Sequence, residues 1–310
     1  MDEQVSRMYG FVRGRQLEGT FPGDARTGTW LVTGMRVAHG WGCPSEIAWP
    51  YDGDPAHWPP VVPEGIDALA KARRIGAYQR IRSIDDARVC IASQHPVVMA
   101  IPITKQWFAA PGGLIEGPGV DRAFICNHAA VIVGYDDSSQ QLTFRNSWGE
   151  TWGDGGHGYL PYDYFNRHLL EAWAITGPYD ERPEERSSPR DLELAWGVPD
   201  LLNGTLHGVD LYRASTDDFF GWALGVVREG FLDVEELFVK ADQRCRGYGT
   251  QLVDAMSDRA RQLSLPLRFW IPFADVTGPN LARFTRIARR KGLRISRSNV
   301  SWAAYSASAG

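Results

Sequence analysis

Residues 127–160 read NHAAVIVGYDDSSQQLTFRNSWGETWGDGGHGYL, and this stretch decides the fold of the first half of the chain. Within it, HAAVIVGYDD (128–137) and QLTFRNSW (141–148) are apolar runs separated by polar turn residues. A further apolar run, PVVMAIPI, precedes them at 96–103. Short apolar runs bounded by turn residues are typical of β-strands, so the sequence predicts a β-rich region here.

Helical periodicity comes earlier in the chain, in TWLVTGMRVAHG (29–40) and around IDALAKARRIGAYQRI (66–81). Helices followed by strands predict an α+β domain over residues 1–176. The next stretch, GPYDERPEERSSPRD (177–191), holds three prolines and eight charges, so it is predicted to be a linker. Residues 192–310 then predict a mixed α/β domain, with a strand at DVEELFVK and a helix at QLVDAMSDRARQL.

The segment around residues 127–160 resembles the papain-like C1 cysteine peptidases, in which a histidine opens a buried strand and NSWGxxWG ends the next. Residues 146–153 match that motif at the spacing of the family. The resemblance implies that His128 is an imidazole base and that the side-chain carbonyl of Asn146 fixes its tautomer. It also implies that Trp148 shields this hydrogen bond from water.

Upstream segments resemble the same family in order, namely VSRMYGFVRGRQLEG, ARTG and GCPSEIAWPYDGD, so the resemblance runs from about residue 5 to 175. It implies a groove that binds a peptide or peptide-like substrate. The substrate-binding residues implied in this way are Gly28, Cys126, Asn127 and Trp148.

The nucleophilic cysteine of that family, with its oxyanion-hole glutamine, lies before the segment that begins here at Val5, and no QxxxxxCW pattern occurs in the sequence. Three explanations stay open: an upstream start, a segment supplied by another chain, or a pseudoenzyme that keeps its groove for binding. We expect Cys43 and Cys90 to be structural and Cys126 to line a pocket. We also expect a second copy of the chain or a partner protein to cover the apolar surface that the missing helix would bury.

A glycine-containing loop follows the predicted strand DVEELFVK, with Arg244, Gly247 and Gly249 forming RxxGxG at the start of a helix. Glycines let backbone amides approach an anion, and the N-terminus of a helix favours negative charge. The loop is therefore predicted to hold a pyrophosphate.

Together with LRFWIPF, this segment resembles the GNAT acetyltransferases, which bind acetyl-CoA. The resemblance implies that acetyl-CoA or another acyl-CoA is the co-substrate, with no metal. It places Leu237, Phe238 and Val239 along the pantetheine arm and Asn280 on the opposite side of the cofactor. It wraps the pyrophosphate in Arg244, Cys245, Arg246, Gly247, Tyr248, Gly249 and Thr250.

Acyl transfer to an amine in this family uses a carboxylate that relays the amine proton, which the resemblance implies is Glu236 or Glu235, with Glu236 favoured. The acceptor side is abbreviated, because few residues separate the linker from the strand VDLYRAS (209–215). It is either rebuilt by the first domain or absent. The implied fold class is α+β: a papain-like domain with an incomplete helical lobe and a β-rich lobe, followed by a GNAT-like α/β domain with a mixed sheet.

The composition narrows the function classes. With 33 Lys and Arg against 37 Asp and Glu, the formal net charge is −4, so we expect no nucleic-acid partner. No apolar run approaches the roughly 18–20 residues that span a bilayer, so we expect no membrane partner and a cytoplasmic location.

The leading hypothesis is an acyl-CoA-dependent N-acyltransferase, most simply an N-acetyltransferase, whose papain-like domain binds a peptide-like acceptor or is a pseudoenzyme. One alternative is a cysteine-type peptidase with its nucleophile upstream or on another chain. The other is a non-enzymatic sensor that binds acyl-CoA.

Overall fold

The structure is a computed structural model that describes residues 4–117, 123–175, 177, 192–196, 206–213, 218–271, 279–291, 294–297 and 302–305. Its contacts divide the chain into two compact units. The central unit is Tyr78–Thr176, and the two-segment unit joins Met1–Ala77 to Gly177–Gly310. The first 77 residues thus group with the C-terminal segment. The domain boundaries 1–176 and 192–310 stay a prediction, and apart from Gly177 the predicted linker lies outside the described residues.

The N-terminal segment of the two-segment unit is helical, with α1 (Arg7–Glu18), α2 (Leu31–Gly40) and α3 (Ile66–Lys71). The side chain of Ser6 caps α1 by accepting from the backbone N–H of Tyr9, and α1 ends at Gly19, whose φ of 71° needs a glycine. These helices pack around a small apolar core: Met8, Tyr9, Val12, Val37, Trp49, Ile66 and Ala70.

The central unit is an antiparallel sheet in the order β1-β6-β2-β3-β4-β5. Its strands are β1 (Tyr78–Arg80), β2 (Val97–Ile103), β3 (Cys126–Asp136), β4 (Gln141–Arg145), β5 (His157–Pro161) and β6 (Glu171–Ile175). Helices α4 (Ile84–Ala92) and α5 (Tyr162–His168) accompany the sheet. Alternate residues of β2 are buried, as expected for a strand with one face on the core.

The three strands expected at 96–103, 128–137 and 141–148 are confirmed as β2, β3 and β4. The helix predicted over residues 66–81 was wrong for the second half of that range. The helix ends at Lys71, and Tyr78–Arg80 pairs with β6 as a strand. Pairing with a strand almost 100 residues away overrides the local preference.

The C-terminal segment forms a mixed sheet in the order β12-β13-β11-β10-β9-β8-β7, as predicted. Its strands are β7 (Leu192–Trp196), β8 (Leu206–Arg213), β9 (Asp218–Arg228), β10 (Phe231–Val239), β11 (Leu267–Ile271), β12 (Arg294–Arg297) and β13 (Trp302–Tyr305). Helices α6 (Tyr248–Gln262) and α7 (Pro279–Arg290) complete it. Strands β10 and β11 run parallel, and the other paired strands are antiparallel.

Helix α6 covers one face of this sheet, where its Leu252, Met256 and Ala260 are buried in a core with residues of β8 to β11. The opposite face meets α2, because Arg36 and His39 of that helix contact carboxylates of β10 and β8. The sheet of the two-segment unit is therefore covered on both faces. No helix in the described ranges is both long and apolar enough to cross a bilayer.

Candidate functional site

A histidine and an asparagine meet in the central unit. His128 is the third residue of β3, and Asn146 directly follows β4, whose last residue, Arg145, pairs with Val131. Neighbouring strands therefore bring the two side chains together, and Nε2 of His128 lies 2.8 Å from Oδ1 of Asn146. The structure thus joins the two residues that the resemblance pairs, while their catalytic role stays a prediction.

The hydrogen bonds around Asn146 determine the tautomer of His128. The backbone N–H of Ser147 donates to Oδ1 of Asn146 over 2.8 Å, which identifies this atom as the carbonyl oxygen. Because an amide oxygen can only accept, Nε2 of His128 must carry the proton. In the neutral ring the lone pair is then on Nδ1, so Nδ1 is the atom that can take up a proton.

Aromatic rings surround this imidazole. The ring of Trp148 lies 4.6 Å from that of His128, and the ring of Trp107 lies 6.2 Å away on edge. Trp148 in turn stacks on Phe108 at 5.1 Å, and the indole N–H of Trp152 donates to the backbone oxygen of Trp107. Burial lowers the pKa of His128 below its ordinary value, and the Asn146 hydrogen bond only partly offsets this. Burial therefore favours the neutral, proton-accepting form of the ring over the charged form.

The sequence missed Trp107 and Phe108, which lie in a short 3-10 helix, Lys105–Ala109. Trp107 is 0% exposed and packs between the imidazole and the core of the unit. The sequence shows these two residues as adjacent aromatics in a stretch without periodicity. That pattern does not indicate which residues the rings contact.

For the other residues that the sequence assigns to this site, and for two further cysteines, the structure gives the position and the exposure. Cys126 and Asn127 are exposed at the start of β3, and Cys126 shares a strand face with His128 because the two are two residues apart. Gly28 lies in the segment before α2, in the two-segment unit. Burial raises the pKa of Cys43 to about 11, so this thiol stays protonated at neutral pH, and Cys90 is buried in α4.

The second candidate site is the loop between β10 and α6. After Lys240 the chain makes a 3-10 turn, Ala241–Gln243, and α6 starts behind Gly247, whose φ of 87° is left-handed. Within the described part of the chain, five successive backbone N–H groups have no acceptor: those of Cys245, Arg246, Gly247, Tyr248 and Gly249. Consecutive unsatisfied amides at the start of a 15-residue helix are suited to bind an anion.

Side chains hold this loop in shape. Nε of Arg244 donates to the backbone oxygen of Val239 over 3.0 Å, and the ring of Tyr248 stacks on Phe220 at 5.6 Å. Cys245 has a φ of 65°, a left-handed conformation that strains any residue with a Cβ. Cys245, Arg246 and Gly247 are exposed, and Gly249 and Thr250 are half-buried in the first turn of α6.

The pairing of β10 with β11 ends before the loop. In the described residues the parallel ladder joins Leu232–Val234 to Leu267–Phe269, whereas β10 continues against β9 as far as Val239. Leu237 and Val239 pack towards α6, and Phe238 lies on the other face beside Trp222. Among the described residues, the part of β10 nearest the loop is therefore not paired with β11.

The two candidate proton acceptors lie at an irregularity of β10. The pairing with β9 shifts register between Val234 and Glu236. Glu235 and Glu236 are both buried, as are residues 232–234 before them, because the sheet is covered on both faces. Glu236 accepts two hydrogen bonds from Arg36, and Glu235 lies 4.0 Å from Arg228. Which of them acts as the relay stays a prediction. Asn280 lies in the first turn of α7, and its side chain is outside the described part of the structure.

The described residues contain no cluster of three or more His, Cys, Asp and Glu side chains that could hold a metal ion. The chemical groups that the two candidate sites offer are backbone amides, one imidazole and two carboxylates.

Comparison with known families identifies both parts of the chain. Residues 27–169 match the family described as papain family cysteine protease, and residues 166–284 match the acetyltransferase (GNAT) family. The chain thus contains a papain-family segment followed by a GNAT-family segment, which confirms the resemblances seen in the sequence.

The similar proteins of known sequence or structure include relatives of cysteine peptidases. A peptidase C1-like protein of Acanthamoeba polyphaga mimivirus is 26% identical over 211 residues, covering 64% of this chain and 65% of the relative. Macrodontain-1 of Ananas macrodontes is 35% identical over 85 residues, covering 27% of this chain and 38% of the relative. The chain therefore spans less than two thirds of these curated relatives. Xylellain, a cysteine protease from Xylella fastidiosa, superposes with a TM-score of 0.50 and 27% identity, covering 56% of this chain and 70% of that structure.

Proposed function

We propose that this chain, in which a papain-family segment precedes a GNAT-family segment, transfers an acyl group from acyl-CoA to an amine. The observation that carries the proposal is the run of five backbone N–H groups, from Cys245 to Gly249, for which the described residues supply no acceptor. A diphosphate has the charge and the oxygen atoms to accept from several of these groups at once. The positive end of α6 adds to that attraction.

The neighbouring residues fit the rest of a CoA molecule. Leu237 and Val239 are apolar and lie on the part of β10 that extends beyond its pairing with β11, which suits an extended pantetheine arm. Bound acyl-CoA supplies a thioester whose carbonyl carbon an amine can attack. The amine must lose a proton as it reacts, and a carboxylate of β10, Glu236 or Glu235, or a water molecule held by it, would accept that proton.

Calorimetric titration with acetyl-CoA tests this proposal. We expect wild-type protein to bind and the variant Gly247→Trp to lose binding by at least about 100-fold, because a bulky side chain at the loop would occupy the place of the diphosphate. Gly230→Trp is the matched control. Both glycines have left-handed φ values, 87° and 76°, and a Cβ at either position meets nothing within 4 Å, but Gly230 lies in the turn before β10.

Equal binding by Gly247→Trp and Gly230→Trp would show that the loop does not hold the diphosphate. No binding by the wild type would end the proposal. Binding without turnover across a broad panel of amines would favour the sensor that the sequence left open.

A second candidate function belongs to the papain-family segment, and the oriented imidazole of His128 favours it. We propose that this segment binds a peptide or peptide-like molecule and that Nδ1 of His128 can accept a proton from a group presented to it, as in a cysteine-type peptidase. The support is the 2.8 Å contact with Asn146, which leaves Nδ1 as the basic atom. A nucleophile for such chemistry is not assigned to any residue of this sequence.

The pH dependence of His128 tests whether it is a poised base. We expect its imidazole, followed by NMR, to titrate below the ordinary value of 6.5, since burial disfavours the charged ring. Any reaction that needs the neutral ring should then rise with pH through that midpoint and level off above it. Asn146→Asp should raise the pKa of His128, because it replaces a neutral acceptor with a negative one, and Asn127→Asp, at an exposed position, is the control. A midpoint at or above 6.5 in the wild type would contradict the role.

A further inference from the structure

Helix α2 belongs by sequence to the papain-family segment, which matches over residues 27–169. In the structure it lies in the same compact unit as the GNAT-family sheet. Its contacts with that sheet come from residues that face one way, because His39 and Gly40 lie three and four positions after Arg36. The residues that they meet lie on β8, β9 and β10.

The strongest of these contacts joins Arg36 to Glu236. Nε of Arg36 donates to Oε1 of Glu236 over 2.9 Å, and a terminal nitrogen of Arg36 donates to Oε2 over 3.2 Å. Both residues are buried, at 4% and 1% exposure, and the guanidinium also lies 5.1 Å from the ring of Phe238. A two-point contact of this kind fixes the orientation of the carboxylate as well as its distance.

A second contact joins His39 to the sheet. Nε2 of His39 lies 3.3 Å from Oδ1 of Asp210, and Nδ1 lies 3.1 Å from the backbone oxygen of Ile75. The ring of Trp222 packs on edge against the imidazole at 4.9 Å. A Cβ added to Gly40 would come within 2.7 Å of Trp222, so the helix can approach this closely only with a glycine there.

The third contact reaches the anion loop. Nζ of Lys240 lies 4.3 Å above the ring of Trp41 and donates to the backbone oxygen of Gly40 over 3.3 Å. A lysine is well placed there, because the C-terminus of a helix attracts positive charge. Lys240 is the first residue after β10 and directly precedes the turn that leads into the loop.

These contacts have a common physical consequence. Apolar packing alone would let a helix slide along a sheet, whereas a buried ion pair and buried hydrogen bonds are satisfied in one register. Such contacts contribute little net stability because both partners lose their hydration, so their main effect is to fix position. In α2 they fix the helix against Glu236 and the strand end from which the loop starts.

We infer that α2 forms the acceptor-side wall of the acyltransferase site, and that Arg36 and Trp41 are positioning residues of that site. Arg36 orients the Glu236 carboxylate, and Trp41 holds Lys240 and thereby the start of the diphosphate loop. The inference rests on the proposed function for the chemistry of the site, but the positioning itself is a property of the protein alone. On this inference, a helix of the papain-family segment completes the acceptor side that is abbreviated in the GNAT-family segment.

Hydrogen exchange in full-length Trp41→Leu tests the positioning. We expect amides of residues 239–250 to exchange roughly 2- to 30-fold faster than in the wild type, the range that corresponds to loss of a partly buried cation–π contact. Acetyl-CoA affinity should fall by a similar factor. Trp58→Leu is the matched control, because Trp58 carries a comparable contact with Arg15 at 5.0 Å and has no contact with Lys240 among the described interactions.

Unchanged exchange in residues 239–250 of Trp41→Leu, or an equal increase in Trp58→Leu, would overturn the inference. The exchange result is decisive whether or not the protein binds acetyl-CoA. Failure of the wild type to bind acetyl-CoA would instead overturn the proposed function.

For Arg36, the matched variant is Arg36→Lys, which keeps the positive charge but cannot make the two-point contact with the Glu236 carboxylate. We expect it to lower kcat with little change in the affinity for acetyl-CoA. A change confined to acetyl-CoA affinity would contradict an orienting role towards Glu236.

Discussion

Arg36→Met is expected to destabilise the two-segment unit by about 3–5 kcal/mol, the usual cost of breaking a buried ion pair. The reason is that the Glu236 carboxylate, 1% exposed, would lose the guanidinium that neutralises it from 2.9 Å. Urea denaturation followed by tryptophan fluorescence measures the change as a lower midpoint. Trp222 and Trp41, which lie beside the pair on the sheet and at the end of α2, would report the transition.

The double variant Arg36→Met/Glu236→Leu is the control that separates charge burial from packing. Replacing both members of a buried pair by apolar residues is often neutral, so most of the lost stability should return. Arg7→Met removes an ion pair with Glu46 on the surface of the same unit and should have a far smaller effect, because solvent screens that pair. Equal destabilisation by Arg36→Met and Arg7→Met would mean that α2 is not held against the sheet as described.

Trp107→Ala is expected to destabilise the central unit by about 3–5 kcal/mol, since it empties the space of a large aromatic side chain in the core. Trp107 is 0% exposed and contacts the rings of Phe144 and Tyr164 as well as His128. The cavity would also relieve the burial of His128, so its pKa should rise towards the ordinary value. Denaturation and NMR titration of the same variant measure both effects.

Phe108→Ala is the neighbouring control. Phe108 follows Trp107 in the same 3-10 helix but is 57% exposed, so its removal forfeits mainly the stacking on Trp148, about 1 kcal/mol. A loss of stability as large as that of Trp107→Ala would show that the short helix itself, and not the buried indole, supports the imidazole.

Much of both candidate sites could be predicted from the sequence, because the residues concerned are close together along the chain. His128 and Asn146 lie on consecutive strands joined by a short turn, so the pattern that predicts the strands also predicts their approach. The anion loop lies between one strand and one helix, and Gly247 marks the left-handed turn that separates them.

Other features could not be predicted, since they depend on contacts between distant parts of the chain. Trp107 comes to the imidazole from a stretch with no periodicity, and the second half of the predicted helix at 66–81 becomes a strand because β6 pairs with it. Glu235 and Glu236 are both buried because α6 and α2 cover opposite faces of the sheet, which no local pattern specifies.

The sequence by itself determined the two family segments and the elements that carry His128, Asn146 and the anion loop, because each depends on local periodicity or on a short motif. The mixed sheet followed from the resemblance to the GNAT family. Only the tertiary structure decided that α2 covers the sheet of the second segment. The sequence of an amphipathic helix indicates that one face packs on an apolar, charge-matched surface, but it does not indicate which surface of the protein that is. Arg36 finds its carboxylate 200 residues further along the chain, and that choice is made by the complementarity of two surfaces.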